Sequence, residues 1–537
     1  MRKMQKFAIG TMVIVLAGLS AATTAAAPPP QNQSSDLGPG CAPDRAAIAH
    51  HVGGVKVDAP RGSEAPVPCL SANPGVRVGE EGIVVTNLGT VILRPTRNVD
   101  AIAASKTGLV RTVDNGATWE DPNAPFNDTN MWYDRTTGRL FWGSRMRTDI
   151  SDDDGKTWFS GGRTLNFDHI QVFGGPPPES LKHMMQGYPN VVYVCVGHSP
   201  LKCQKSLDGG MTFGPELDIP FPRTQDVMAI QGSARDCSAF GLQGMVDKDG
   251  TVYVPYGPCN RPYVAISHDE GSNWQLVAVA NTDEIGYGYP SLGIDEAGNL
   301  YASWVGASDR LPYVAISRDH GLHWGTPLMV GAPGVNEAAV PFLVAGARGQ
   351  VAVAYYGSKN APRPFPATCF AVPSPRVFPT TPPPAPASVT PTCAGYEDER
   401  WDTIVTESWN ALDSQPLFWS ATLNNPAQST WYGCSPSEIG VIRWDDNTPF
   451  NSGPGHFRGC YPRLVMDYFG ATMAQDGTVW VGFAQECPFG RPAPGNNPNC
   501  PAETGGLFGL VGRLVPRGEH AIARQSMVEN SKTPRSQ

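Results

Sequence analysis

Short apolar stretches alternate with polar turns along most of this chain, and few persist long enough to form one face of a helix. One arrangement recurs seven times: a polar turn, a glycine or asparagine, then a strand of alternating character. The copies are Gly89-Thr90-Val91-Ile92-Leu93, Gly138-Arg139-Leu140-Phe141-Trp142, Asn190-Val191-Val192-Tyr193-Val194, Gly250-Thr251-Val252-Tyr253-Val254, Gly298-Asn299-Leu300-Tyr301-Ala302, Gly349-Gln350-Val351-Ala352-Val353 and Gly477-Thr478-Val479-Trp480-Val481. Alternation with a period of two, bounded by turn residues, predicts β-strands. Each copy follows another short apolar stretch, such as Pro290-Ser291-Leu292-Gly293-Ile294, which predicts a hairpin.

A second pattern, Ser/Thr-x-Asp-x-Gly-x-x-Trp/Phe, occurs five times: Thr112 to Trp119, Ser151 to Trp158, Ser206 to Phe213, Ser267 to Trp274 and Ser317 to Trp324. Its chemistry is that of a hairpin turn. The aspartate can bond to the amides of its own turn, the glycine supplies a positive φ, and the aromatic ring is more apolar surface than one hairpin can bury. Two strands followed by a hairpin of two more make a four-stranded unit of about 50 residues, the size of a propeller blade. The fold expected is therefore all-β: a six- or seven-bladed β-propeller of four-stranded antiparallel blades, closed by an N-terminal strand around Val52 to Val57. Residues 46–515 form the propeller, and the length of 537 residues becomes one circular domain instead of several cores.

Composition refines this picture. The 59 glycines and 52 prolines suit a turn-rich chain, and the Pro-rich stretch 361–392 reads as an inserted loop. The formal charge of -9 argues against a nucleic-acid partner. Residues 1–27 read as a secretory signal: Arg2, Lys3 and Lys6 precede an apolar run, Phe7 to Leu19, and Ala25-Ala26-Ala27 follows. That run is short of the roughly 20 residues of a membrane span, and no later segment reads as one. Residues 28–45 are a polar leader and 516–537 a polar tail. The 12 cysteines behind the signal read as disulfides, with neighbour pairing as the working assignment. The expected location is extracellular, periplasmic or at the cell surface, and the expected state a monomer.

The five copies resemble the Asp-box (BNR) repeat of sialidases and related propellers, over most of residues 80 to 515. In that family the box lies on outer hairpins away from the active-site face. The resemblance thus implies a structural role for Asp114, Asp153, Asp208, Asp269 and Asp319. It also implies a mouth in which three arginines clamp a substrate carboxylate, as the guanidinium fork suits. There a tyrosine activated by a glutamate acts as nucleophile, and an aspartate as acid/base. The family's Phe/Tyr-Arg-Ile-Pro motif ahead of the first blade is absent; the corresponding stretch is Arg77-Val78-Gly79-Glu80-Glu81-Gly82-Ile83. Residues just before an inner strand point toward the mouth. This singles out Arg77, Arg235 and Arg463, with Asp236, Glu81 and Tyr468, as the candidate catalytic set.

Other polar clusters take simpler readings. His183 near Tyr188, and Asp168-His169, read as loop residues. His320 and His323 fall inside a box turn, and Asp247-Lys248-Asp249-Gly250 reads as a β-turn rather than a calcium loop. No cofactor or metal is expected. Two functions follow: an exo-acting glycoside hydrolase of sialidase-like type acting on extracellular glycans or glycoproteins, or a non-catalytic propeller that binds a glycan or protein.

Overall fold

The repeating turn-strand segments do fold as the second strand of successive sheets. The computed structural model describes residues 37–72, 74, 82–94, 109–124, 130–143, 146–165, 170–196, 201–220, 241–258, 261–280, 289–361, 399–432, 470–487, 506–518 and 520–521. The chain divides into a short unit, residues 1–37, and a large one, residues 38–537, which holds the described strands.

Seven sheets follow one another along the chain. Blade one comprises Gly82–Val85, Val91–Arg94 and Val110–Thr112, with a single bridge from Arg111 to Glu120 in place of a fourth strand. Blade two is Met131–Tyr133, Leu140–Gly143, Arg147–Ser151 and Phe159–Arg163; blade three is Ile170–Gly175, Val191–Val196, Lys202–Ser206 and Leu217–Asp218. Blade four is Met245–Val246, Val252–Tyr256, Tyr263–Ser267 and Gln275–Ala278; blade five is Ser291–Ile294, Leu300–Val305, Pro312–Ser317 and Leu328–Met329. Blade six has Glu337–Ala345, Val351–Ser358, Arg400–Ser408 and Phe418–Thr422, and blade seven Gly470–Met473, Val479–Cys487 and Gly506–Val515. The inner strands touch in ring order, and that of blade seven returns to blade one. This is a seven-bladed β-propeller, which decides between the two blade numbers the sequence allowed.

The ring is closed by Val67–Leu70, which pairs with Gly506–Val515 in the register Val67 to Val515 and supplies the fourth strand of blade seven. The expected closing segment, Val52 to Val57, lies elsewhere. Gly53 and Gly54 both take positive φ, 84° and 67°, so the chain reverses there instead of extending. The two arms of that hairpin, Ile48–His51 and Val55–Lys56, extend blade six beyond Phe418–Thr422.

Burial accounts for the box aromatics. Trp158 packs in the cluster with Val84 and Ile92 of blade one, Phe213 with Phe141 and Ile150 of blade two, Trp274 with Tyr193 of blade three, and Trp324 with Tyr253 of blade four. Each ring thus fills the seam with the preceding blade. Two of the neighbour-paired disulfides are formed: Cys41 with Cys69, and Cys195 with Cys203. The bonding of the remaining cysteines lies outside the described residues, as do residues 1–27, Asp168-His169 and residues 362–392 of the Pro-rich insertion. Beyond the last strand, Arg517 meets Glu64 at 2.9 Å and His520 stacks on Trp409 at 4.2 Å. Among the described residues no helix is long and apolar enough to cross a membrane.

Candidate functional site at the axial mouth

Strand order gives the ring two chemically different ends. The hairpin turns within each blade, first to second strand and third to fourth, lie at one end, here the turn end. The connections from second to third strand, and from each blade to the next, lie at the other, the mouth.

At the turn end the five boxes share one hydrogen-bond pattern. The serine or threonine hydroxyl donates to the aspartate, at 2.7 Å in Thr112–Asp114, 2.9 Å in Ser151–Asp153, 2.7 Å in Ser206–Asp208, 2.9 Å in Ser267–Asp269 and 2.8 Å in Ser317–Asp319. The box glycine N–H donates to that hydroxyl. Four residues after each aspartate, Thr118, Thr157, Thr212, Asn273 or His323 donates to one carboxylate oxygen through its backbone and to the other through its side chain. Hydrogen bonds from Thr118 hold Asp114 down to about 2, and those from His323 do the same for Asp319. For Asp153, Asp208 and Asp269 burial pushes upward, but the same bonds outweigh it and the net shift is downward. These carboxylates spend their acceptor capacity on their own turns.

The box also joins blades. The residue after the aspartate has a left-handed backbone, with φ 58° at Asn115, 64° at Asp154, 55° at Glu270 and 60° at His320. It meets the preceding blade each time: Arg513 donates to Asn115 O, Arg111 to Asp154 at 3.3 Å, Lys205 to Glu270 at 3.2 Å, and His320 faces Asp247 at 3.6 Å. The glycine is needed for closeness as well as for φ. A Cβ on Gly155 would sit 2.5 Å from Ile92 Cδ1, and one on Gly210 would sit 2.8 Å from Phe141.

The β-turn expected at Asp247 to Gly250 is formed, but two features of this end go beyond the sequence pattern. A buried aspartate anchors three of the turns between first and second strands. Asp247 accepts from the N–H of Asp249 and Thr251 and from the Tyr253 hydroxyl, and Asp295 does the same with Ala297, Asn299 and Tyr301. Asp134 accepts from Tyr188 and Asn190 of blade three. The signal was an Asp-x-x-Gly or Asp-x-x-x-Gly spacing ahead of each strand. Blade six also carries a sixth, degenerate box: the Ser408 hydroxyl donates to Asn410, whose carbonyl oxygen accepts from Leu417 N–H. Asn410 in the aspartate's place, Leu412 in the glycine's and Gln415 in the aromatic's hid it.

The candidate residues Arg77, Glu81, Arg235, Asp236, Arg463 and Tyr468 lie outside the described residues; in sequence they precede the inner strands of blades one, four and seven. Applied to blade six, the same rule of position gives Asn336-Glu337, at the start of the inner strand Glu337–Ala345. Glu337 opens the inner strand and is 1% exposed. Its Oε1 lies 2.7 Å from Nη1 of Arg310, itself 6% exposed and set in the second-to-third connection of blade five. Ala338 N–H donates to Arg310 O at 2.7 Å, which ties the two blades. Nearby, Tyr313 donates to Asp309, and Asn336 exchanges hydrogen bonds with Ala361. Glu399, before the third strand of blade six, is also fully buried.

One member of the pair and a residue near the other hold costly backbone angles. Arg310 has φ 58°, and Val340, in a bulge between Ala339 and Phe342, has φ 52°. Positive φ is a genuine outlier for a β-branched residue, and bulges re-aim the strand beside them. Among the described residues no cluster of three metal-ligating side chains exists. A small cavity between blades three and four is lined by Gln171, Cys195, Leu201, Leu242, Val254 and Pro255.

No protein-family model and no curated protein matches the chain. Solved structures do, at low identity. A protein of unknown function from Dyadobacter fermentans is 13% identical over 89% of this chain and 100% of its own, with a TM-score of 0.36. A Hadza microbial sialidase is 16% identical over 52% of this chain and 63% of its own, with a TM-score of 0.33. An α-L-arabinanase from Penicillium chrysogenum, solved with arabinobiose, is 14% identical over 55% of this chain and 93% of its own, with a TM-score of 0.35.

Proposed function

We propose that this protein is a secreted propeller that acts on extracellular glycans, and that its chemistry is glycoside hydrolysis at the axial mouth. The observation that carries this reading is the chemical asymmetry of the ring. At the turn end the box aspartates are consumed by local bonds, whereas at the opposite end lies a buried Arg310–Glu337 ion pair whose arginine holds a positive φ. In this reading Arg77, Arg235 and Arg463 clamp an acidic sugar, Tyr468 with Glu81 supplies the nucleophile, and Asp236 is the acid/base. The five box aspartates are structural.

A second reading, a binding propeller without turnover, is favoured by one observation: the family's Phe/Tyr-Arg-Ile-Pro motif has no counterpart in Arg77 to Ile83. Incubation of the purified protein with a panel of sialosides, arabinosides and other glycans, with analysis of released sugars, separates the two. Hydrolysis predicts release that Arg235→Ala and Arg463→Ala each reduce at least ~100-fold, the scale of losing a group that stabilises transition-state charge. Binding without release on every glycan sinks the hydrolase and leaves the binding reading.

A further inference from the structure

Blade six holds a buried histidine to which the proposed activity assigns no part. His50, on the added strand Ile48–His51, is fully buried and stacks on Phe418 at 5.8 Å. Its Nε2 lies 2.7 Å from Ser420 Oγ, which lies 2.7 Å from Thr406 Oγ1, which in turn is 3.2 Å from the Tyr355 hydroxyl. Ala332 N–H donates to the Tyr355 oxygen at 2.8 Å, and His50 Nδ1 lies 3.0 Å from His51 O. The row crosses the sheet from its second strand to its fifth.

With the imidazole neutral, the main-chain carbonyl at the His51 end fixes its polarity, because Nδ1 must carry the proton and Nε2 must accept. An N–H can only donate and a carbonyl only accept. Tyr355 therefore donates to Thr406, Thr406 to Ser420, Ser420 to His50 Nε2, and His50 Nδ1–H to His51 O. Every proton is used, and the imidazole is neutral. A proton added at Nε2 makes that nitrogen a second donor to Ser420 Oγ, so the row gains a donor and no acceptor: Ser420 or, if the row reverses, Tyr355 is left with a proton that nothing in the row accepts. Protonation thus buries a charge and orphans a donor in one step.

We propose that His50 is an acid-operated latch, whose protonation releases the N-terminal strap, Ile48–His51 with Val55–Lys56, from blade six. The groups that face it leave the added charge unbalanced. Lys56, directly opposite His50 in the hairpin, is a like charge, and His51, on its own strand, turns its Nδ1 to Pro416 O. Beyond Phe418, the strands beside it contribute hydroxyls: Ser420, Thr406 and Tyr355. Glu407 alternates to the other face of its strand and takes Gln350, while Arg45 and Asp402 lie toward Thr422 and Asn424 at the far end. Blade five faces this cluster with apolar Val314, Leu328 and Val330.

Burial lowers the pKa of His50 from its ordinary value near 6.5, so the docked strap binds fewer protons than the released one. Attachment is complete above that value and is lost as pH falls below it, with release rising up to about tenfold per pH unit.

Hydrogen exchange of the full-length protein from pH 7.5 to 4.5, corrected for intrinsic exchange, tests this. Protection of residues 46–57 should fall by up to about tenfold per pH unit below roughly 6.5, while the blade-five strand Pro312–Ser317 holds. His50→Gln should abolish that dependence. Protection of the strap that is flat with pH, or that falls equally in His50→Gln, overturns the latch. Should the variant not fold, the imidazole 15N shifts of the wild-type protein decide: protonation of His50 together with loss of strap protection supports it, and protonation with protection intact refutes it.

Discussion

The two ends of this ring solve opposite problems with the same residue types. At the turn end Asp208 takes a hydroxyl from Ser206 and paired donors from Thr212, all within one hairpin. At the mouth Glu337 takes its guanidinium from a different blade, on a connection whose Arg310 holds φ 58°. A carboxylate satisfied locally is a fastener that can be copied from blade to blade. A carboxylate satisfied at long range, by an arginine that itself holds a positive φ, depends on the assembled ring.

The sharpest test of this contrast is Arg310→Met, which strips the guanidinium from a buried carboxylate and should cost about 3–5 kcal/mol in chemical denaturation. A loss below 1 kcal/mol would mean that Glu337 is no more dependent on its partner than a surface acid. Gly155→Val comes next. The side chain must enter the space of Ile92 at φ 80°, so about 2–5 kcal/mol should be lost. Gly298→Ala makes the matching control, because its φ of 88° is similar but nothing lies within 4 Å; about 1 kcal/mol is expected. Equal losses at both glycines would remove the argument that the box glycine serves contact between blades. Asp208→Ala should cost about 1–2 kcal/mol, as loss of a capping-type side chain does, and should leave glycan turnover or binding unchanged. A change in either would move function to the turn end.

Acid gives the smallest effect. Asp114 and Asp319 are held near 2, below the ordinary value of 3.8, so the folded state binds fewer protons. Their contribution is present above about pH 4 and fades as pH falls toward 2. Replacing both by asparagine should flatten the denaturation midpoint across that window, and an unchanged slope would show that the boxes do not titrate with folding.

Much of the turn end was legible in the sequence because its chemistry is local. Ser206-Leu207-Asp208-Gly209-Gly210 carries donor, acceptor and positive φ within five residues, and the seven turn-strand segments all became second strands. Legibility failed where the deciding partner is distant. Gly53-Gly54 turned the expected closing strand back on itself, and Val67–Leu70 took the closing position through pairing with residues at the far end of the chain. Asn410, Leu412 and Gln415 stand where a box has aspartate, glycine and an aromatic ring, so the sixth copy was invisible as a motif. Glu337 stood at a position the rule for inner strands covers, yet its importance comes from Arg310 on another blade. No spacing connects the two.

Closure by Val67–Leu70 also orders events in time. A chain made from its N-terminus delivers this strand first, and the partner it needs, Gly506–Val515, last. Until then the edge of the strand stands open to wrong partners, and blade seven cannot be completed by any intermediate length of chain. The ring therefore has no shorter closed form. Loss of its final strand leaves an open arc whose two exposed edges invite pairing with other molecules, so truncation from the C-terminus should appear as aggregation before it appears as a smaller stable propeller.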